Sequence, residues 1–465
     1  MPLTNLSNPL SAESMGLFFK GVKIPKRQAP ISLDMMEAPL PARVILPLRQ
    51  YIGEPATPVV SVGDTVKVGQ LIATADRDTA LPLHATISGR LAEVTEHLDC
   101  RGISVPALII ESDGADSWIE RPQEHNDIDS LGPSEILTRI EKAGLVLKGL
   151  APIPLGADLV ARDQPKTHLS LNGRQVVRRT DTLMVSALDM EPSLAVNRYR
   201  AHIHHAELTQ GIAALKALTG AQRTIFVVDK HYPPYPQLAE LVAADEQEAT
   251  RIVSLDGRRF PLGLPVPLLK AVLGREVPLP YGHPRDVGVA LYDLDTTICL
   301  GSSIQQIPQV DSLITVGGGA LARKGIVKVR IGTPIGSLIE SLGGFSDDPA
   351  RLILGGPLMG IAQYDLSIPI TKDIPALFAL TRDETALIGH YRQCINCGLC
   401  VRVCPVNLVP GMLSLYCAKD RFETAERQGL LSCLECGCCD YVCPSRRPLV
   451  HLFRHAKQQL MEARQ

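Results

Sequence analysis

Eight cysteines in two short runs carry the clearest chemistry in this chain. The first run reads Cys394-Ile-Asn-Cys397-Gly-Leu-Cys400-Val-Arg-Val-Cys404-Pro405, the second Cys433-Leu-Glu-Cys436-Gly-Cys-Cys439-Asp-Tyr-Val-Cys443-Pro444. Each is C-x2-C-x2-C-x3-C-P, the spacing that holds a cubane iron–sulfur cluster, with the fourth thiolate turning toward the other cluster of a pair. The spacing assigns Cys394, Cys397, Cys400 and Cys443 to one 4Fe–4S cluster, and Cys433, Cys436, Cys439 and Cys404 to a second. A structural zinc site also uses Cys-x2-Cys pairs. Two complete runs, each closed by Cys-Pro, argue for clusters instead, and so for one-electron chemistry. In this register Cys438 is a packed neighbour rather than a ligand, and Cys417 is core.

The rest of the composition sets the compartment and excludes other classes. Ten of the 12 cysteines fall between Cys394 and Cys443. Clustered thiols of this kind point to a reducing compartment and bound metal rather than to a disulfide framework. The 465 residues suffice for about three domains. With 45% hydrophobic and 21% charged residues and a formal net charge of -2, the chain reads as ordinary globular protein. That balance, with only 4% aromatic residues, gives no support for nucleic acid as a partner. No signal-peptide succession opens the chain, and no apolar run approaches the ~18 residues of a spanning helix. The expectation is a cytoplasmic protein whose membrane attachment comes through partners.

The elements that must position the thiols read as β-rich modules around an α/β domain. Residues 1–41 are an arm. Residues 42–112 alternate apolar and polar positions around Gly63-Asp64 and Gly69-Gln70 turns, and His84 to Gly89 returns the chain. This stretch resembles the barrel-sandwich fold of biotinyl and lipoyl carriers. No lysine stands between Gln70 and Gly89 to hold a carrier's cofactor, so it reads as a structural or docking module. After an acidic linker, residues 131–300 form an α/β domain of nucleotide-binding type. Helices are expected at 134–143, 193–220 and 235–244, with buried strands at 167–172, 182–187 and 224–229. Residues 311–362 suggest a β-grasp module: a hairpin turning at Gly317–Gly319, a helix over 335–342 stopped by Gly343-Gly344, and the glycine-rich Gly355-Gly-Pro357-Leu-Met-Gly360. Residues 384–457 are expected to be an α-helical, ferredoxin-like two-cluster domain. The fold class is therefore multi-domain α/β with β-rich modules.

These modules, in this order, resemble the RnfC family, the peripheral subunit of the Rnf ion-translocating electron-transport complex. Val62-Gly-Asp64, His84-Ala, Ser88-Gly89, the stretch 316–334, Gly355 to Gly360 and both cysteine runs carry the likeness. The resemblance implies two 4Fe–4S clusters and a place on the cytoplasmic face of membrane partners. It also implies hydride transfer from NADH to FMN, with single electrons passing on toward ferredoxin or another redox protein.

The nucleotide site is where this chain departs from the family. RnfC proteins carry a loop resembling A-G-I-V-G-L-G-G-A-G-F-P-T, whose glycines let backbone N–H groups approach phosphates. Here the segment is Ala143-Gly-Leu-Val146-Leu147-Lys148-Gly149-Leu150-Ala151-Pro152-Ile-Pro-Leu155. Leu147, Leu150 and Pro152 replace three of the four loop glycines after the valine. The family's E-C-E-P reads Asp189-Met190-Glu191-Pro192, Asn197 stands where an acidic residue is usual, and Y-P-Q-G-G-E-K reads Tyr232-Pro-Pro-Tyr235-Pro-Gln237. These changes predict a lost or altered NADH/FMN site beside a working two-cluster relay. The competing readings are altered but intact FMN and NADH contacts, a stand-alone flavin-dependent reductase of the cobalamin-reductase type, and a docking protein with structural clusters. His202-Ile-His204-His205 is read as surface rather than metal site, Gly317–Gly319 as a turn rather than a dinucleotide loop. Arg446 and Arg447 are candidate contacts for an acidic electron carrier.

Overall fold

The computed structural model describes residues 20–25, 33–75, 80–120, 128–148, 152–160, 170–171, 174–175, 179–385 and 391–464. The N-terminal module is built from two sheets. Strands β1 (Arg43–Pro47), β2 (Gly89–Leu98) and β3 (Ser104–Ser112) pair antiparallel in the order β1-β3-β2, with Thr65–Val66 at the edge of β2. Thr57–Pro58, Leu71–Thr74 and Leu83–His84 form the second sheet. The alternating apolar side chains meet between them, with Val44, Leu46, Val66, Ile72, Ile87, Leu91 and Leu108 in one core. Gly89 is required where the sheets close, since a Cβ there would lie 1.8 Å from the Glu111 carbonyl oxygen. The hairpin tip, 76–79, lies outside the described residues.

Helix α1 (Pro133–Ala143) opens the α/β domain and ends at Gly144 in the left-handed conformation that terminates helices. Four parallel strands follow: β4 (Thr182–Ser186), β5 (Arg223–Asp229), β6 (Thr250–Leu255) and β7 (Val289–Asp293), in the order β6-β5-β4-β7. Parallel strands buried on both faces need apolar cover on both. Helices α1, α2 (Ala206–Thr219) and α3 (Leu294–Ile304) cover one face. The helix Pro265–Leu273 covers the other. The helix expected over 193–220 is two, Val196–His202 and α2, because Ile203 is extended (φ -112°, ψ 146°). The expected strand over 167–172 lies mostly outside the described residues, where only the pair Ser170–Leu171 is described.

The next unit is a six-stranded mixed sheet. Strands β8 (Asp311–Gly317) and β9 (Gly325–Arg330) form the expected hairpin. Helix α4 (Ile335–Ser341) follows and stops at Gly343 and Gly344, both at positive φ. Strands β10 (Arg351–Leu354), Ile361–Gln363 and β11 (Ala376–Leu380) complete the sheet, which therefore continues to Leu380. Its outer strand comes from the N-terminal arm: Met35–Glu37 lies parallel to β9, with Met35 opposite Ile326. A second piece of the arm, Val22–Lys23, pairs with Arg259–Phe260 of the α/β domain.

The cysteine runs sit on short helices: α5 (Leu399–Val403), α6 (Pro410–Cys417), α7 (Phe422–Arg427), α8 (Cys438–Tyr441) and the longer α9 (Leu449–Glu462). The helical character expected from Glu384 onward starts later. A short 3-10 turn at Arg382–Glu384 ends there, and residues 391–398 are irregular until α5 begins. The backbone of 394–398 must wrap around its own thiols, which a helix cannot do. Leu413, Cys417, Ala425, Leu430 and Phe453 form this region's apolar core.

Candidate redox site

The two cysteine runs have the same backbone. Asn396 and Gly398 in the first match Glu435 and Gly437 in the second, all at φ between 53° and 77°. Asn407 and Arg446, three residues after each Cys-Pro cysteine, repeat the match at 59° and 49°. Left-handed residues alternating with right-handed ones turn successive N–H groups to one side, a concavity suited to anions. The N–H groups of Glu435 and Leu408 point at Cys433 Sγ (3.4 Å) and Cys404 Sγ (3.3 Å).

The fold crosses the two runs. Cys394, Cys397 and Cys400 line a cavity of about 200 Å³ together with Cys443 from the far end of the second run. Cys433, Cys436 and Cys439 gather with Cys404 from the first, close enough that their charges raise one another's pKa. Burial pushes the Cys433 thiol up to about 12, and pushes Cys439, Cys404 and Cys400 up as well. Bare thiolates are thus disfavoured here, and iron is the counter-charge that would permit them. Among the described residues no group of three or more His, Cys, Asp or Glu is set to hold a single metal ion. A tetrahedral ion draws its sulfurs to about 2.3 Å from one centre. Thiols spread around a cavity fit a multi-iron core instead.

The two sets differ in exposure. Cys404, Cys436 and Cys439 are buried, whereas Cys397 is exposed. Cys438 is buried with its Sγ 3.6 Å from the Phe260 carbonyl oxygen, in a core shared with Ile24, Leu264 and Cys436. Cys417 is 2% exposed, in the core of the helices.

The α/β domain presents two places at the carboxyl ends of its strands, where such sheets bind ligands. The first is a cavity of about 410 Å³ beyond β4 and β5, lined by Asp189, Glu191, Arg198, Asp229, His231, Tyr232 and Arg258. Its polar walls are tied to one another. Arg198 pairs with Asp189 at 3.2 Å and lies over the Tyr232 ring, 4.7 Å from its centroid. Asp256, just behind, binds His231 at 2.9 Å and Arg258 at 3.1 Å. Glu191 accepts from the N–H groups of Leu358 (2.9 Å) and Met359 (2.8 Å), and burial pushes its carboxyl up to about 7.

The second place is the crevice between β4 and β7, at which the strand order reverses and a flavin phosphate would meet the N-terminus of α3. The chain's own charges occupy it. Asp293 caps α3 by accepting from Thr296 N–H at 2.6 Å. Lys148 and Arg200 both bind Asp295, at 2.9 and 3.0 Å. Burial alone would raise the Asp295 carboxyl, but the two cations outweigh it and hold it at about 2. Leu147 and Ile153 pair across a tight hairpin that points Lys148 inward, and Pro152 gives its carbonyl to Ile52 N–H at 2.7 Å. Gly149, Leu150 and Ala151 lie outside the described residues. A phosphate here would face two buried carboxylates and a helix end already capped, so the residues present do not fit FMN bound through this crevice.

Sequence reasoning missed this network and the partners of Glu435 described below. Lys148 stands at a family loop position, which was the available signal; Asp295 and Arg200 carried none. The histidines of 202–205 diverge: His202 accepts or donates at Pro234 O (2.9 Å), His204 faces solvent beside Glu240, and His205 is half-buried. Gly317 and Gly318 stand at the turn of the β8–β9 hairpin.

Comparison with known proteins agrees with this layout. The RnfC barrel sandwich hybrid domain matches residues 17–115, the Nuo51 FMN-binding domain 140–302, the SLBB domain 313–362 and the 4Fe-4S binding domain 390–409. The RnfC-type component of the proton-translocating ferredoxin:NAD(+) oxidoreductase complex of Clostridium ljungdahlii is 33% identical over 423 residues, covering 90% of this chain and 88% of that protein. Its counterpart in the Na(+)-translocating ferredoxin:NAD(+) oxidoreductase complex of Acetobacterium woodii is 31% identical, covering 97% of this chain and 98% of that protein. The counterpart in the ion-translocating oxidoreductase complex of Pseudomonas aeruginosa is 34% identical, covering 93% of this chain and 54% of that protein. The chain belongs to the RnfC family, whose members are components of ion-translocating oxidoreductase complexes.

Proposed function

We propose that this chain relays single electrons within an Rnf-type ion-translocating complex, through two 4Fe–4S clusters held by Cys394, Cys397, Cys400 and Cys443, and by Cys433, Cys436, Cys439 and Cys404. The observation that carries the reading is the crossed gathering of these thiols into two sets of four. The clusters, when bound, supply one-electron transfer. The chain's own part is to bury the second set, to aim N–H groups at its sulfurs, and to leave the first set near the surface. In this reading residues 1–41 are the arm, 42–112 the barrel-sandwich module, 131–300 the FMN-type domain, 311–362 a β-grasp module and 384–457 a ferredoxin-like two-cluster domain. The matching backbone of the two runs supports the last of these.

The α/β domain then acts as scaffold, its flavin crevice closed by Lys148, Asp295 and Arg200. Electrons enter from, or leave to, a redox partner at the face around Cys397. Ile395 (66% exposed), Val409 (51%) and Met412 (48%) line the first cavity and form an apolar rim there. No Asp or Glu occurs from 385 to 419, while Arg392, Arg402 and Arg446 are exposed. An apolar centre with a basic surround suits an acidic one-electron carrier of the ferredoxin type. No helix among the described residues is long and apolar enough to cross a membrane. Attachment to the cytoplasmic face of the membrane would come through the complex's membrane subunits.

The test is anaerobic purification with clusters intact, a flavin assay, and EPR after adding NADH, dithionite or reduced ferredoxin. Reduced-cluster signals with dithionite or ferredoxin, none with NADH, and no copurified flavin are expected. Flavin copurifying with NADH-reducible clusters would overturn the closed-crevice reading. Clusters that no reductant reaches would overturn the relay.

A further inference from the structure

The second cysteine run has a side-chain neighbourhood that the first lacks. Glu435, between Cys433 and Cys436, is held by two cations of α9. Arg454 Nε lies 3.0 Å from its Oε2, and Lys457 Nζ 2.7 Å from its Oε1. Lys457 also donates to the Cys433 carbonyl at 2.8 Å. The corresponding residue of the first run is Asn396, whose Oδ1 accepts from Cys394 at 3.6 Å.

Arg454 reaches further. Its Nη2 and Nη1 donate to the carbonyls of Met359 (2.6 Å) and Gly360 (3.3 Å), in the glycine-rich loop of the mixed sheet. The N–H groups of that loop's Leu358 and Met359 are the ones Glu191 accepts, from the wall of the strand-end cavity. One planar guanidinium thus joins cluster turn, loop and α/β domain. Arginine's fixed fork suits this, and lysine's single ammonium could make only part of it. Close packing makes the joint stiff. A Cβ on Gly356 would lie 2.1 Å from the Glu191 carboxylate, and one on Gly437 would lie 2.7 Å from the Leu358 carbonyl oxygen.

We propose that Arg454 is a positioning residue for the second cluster, holding the Cys433–Cys436 turn through Glu435 and fastening it, across the Leu358–Gly360 peptides, to Glu191 in the cavity wall. The inference rests on the proposed ligand set. A cation beside the turn favours the reduced, more negative form of a bound cluster, and fixed N–H groups aimed at sulfur do the same. Removing Arg454 takes away the charge and frees the turn, leaving Glu435 with Lys457 alone.

The experiment is an EPR-monitored redox titration of the full chain, comparing wild type with Arg454→Ala, Arg454→Lys and Glu191→Gln, with iron counted in each. In Arg454→Ala the second cluster's reduced-to-oxidised ratio at fixed potential should fall about tenfold, a shift of about 59 mV to more negative values for a one-electron couple, with the first cluster unmoved. Arg454→Lys, which keeps the charge, should recover most of the shift. Glu191→Gln should move the second cluster alone and by less, because an amide N–H2 then faces one of the two loop N–H donors. Unchanged potentials in Arg454→Ala with full iron, or equal shifts of both clusters, would overturn the proposal. Should Arg454→Ala lose iron, the Arg454→Lys and Glu191→Gln titrations decide the matter in the same way. A wild-type chain lacking two clusters would instead overturn the ligand assignment on which the inference stands.

Discussion

Lys148 and Asp295 form a 2.9 Å ion pair with side chains only 10% and 5% exposed, at the place where the parallel sheet would receive a flavin phosphate. The pair is closed on its other side by Arg200. Removing one member of a buried pair leaves an uncompensated charge, which typically costs about 3–5 kcal/mol. Asp295→Asn strands two cations and should lose that much in denaturant unfolding. Lys148→Met should lose less, since Arg200 still balances Asp295. Equal losses would mean that Arg200 does not share the carboxylate.

Glu191 predicts a pH dependence. Its folded-state pKa is raised, from 4.5 to about 7, by burial. Between those values the folded chain keeps a proton that the unfolded chain has released. The stability contributed is therefore full below about pH 4.5 and is lost as pH rises through about 7, by about 3 kcal/mol. Thermal unfolding at intervals from pH 4.5 to 8 should show this loss in wild type. Glu191→Gln, which does not titrate, should flatten that part of the profile; an unchanged slope would place the titration elsewhere.

The crossed ligand sets can be separated by single substitutions. Cys443→Ser, in the second run, should disturb the cluster held by the first run. Cys404→Ser, in the first, should disturb the cluster held by the second. EPR of the two reduced clusters, with iron analysis, reads the outcome. If each substitution damages the cluster of its own run, the crossing is wrong.

Cys438 should prove dispensable for iron. It is buried against the Phe260 carbonyl rather than turned toward the thiol sets. Cys438→Ser should keep both clusters and cost about 1–2 kcal/mol, for exchanging a soft buried thiol for a hydroxyl with a shorter reach. Loss of the second cluster's signal would show that the register uses Cys438 in place of Cys439.

What the sequence by itself determined is what depends on near neighbours along the chain. Cysteine spacing, with glycines at 398 and 437 free to adopt positive φ, sets how each run wraps its thiols. Period-two alternation set the barrel-sandwich strands, the apolar runs set β4 and β5, and the Gly343-Gly344 pair set the stop of α4. Each is a local steric or solvation preference, so composition and periodicity expose it.

What only the tertiary structure decided is how distant charges and strands meet. Lys148 and Asp295 are 147 residues apart in sequence, Arg454 and Met359 are 95 apart, and neither pairing has a periodic signature. The arm's Met35–Glu37 reads as irregular until an edge of the mixed sheet, with unpaired backbone groups at Gly325–Arg330, gives it hydrogen-bond partners. The expected continuous helix over 193–220 yields to two for a similar reason. The chain breaks at Ile203–His205, where His205 exchanges hydrogen bonds with Gln237 at 2.9 and 2.6 Å. Whether a glycine-poor loop still admits a flavin was likewise beyond the sequence, because the answer lies in which carboxylates and cations the fold brings into the crevice.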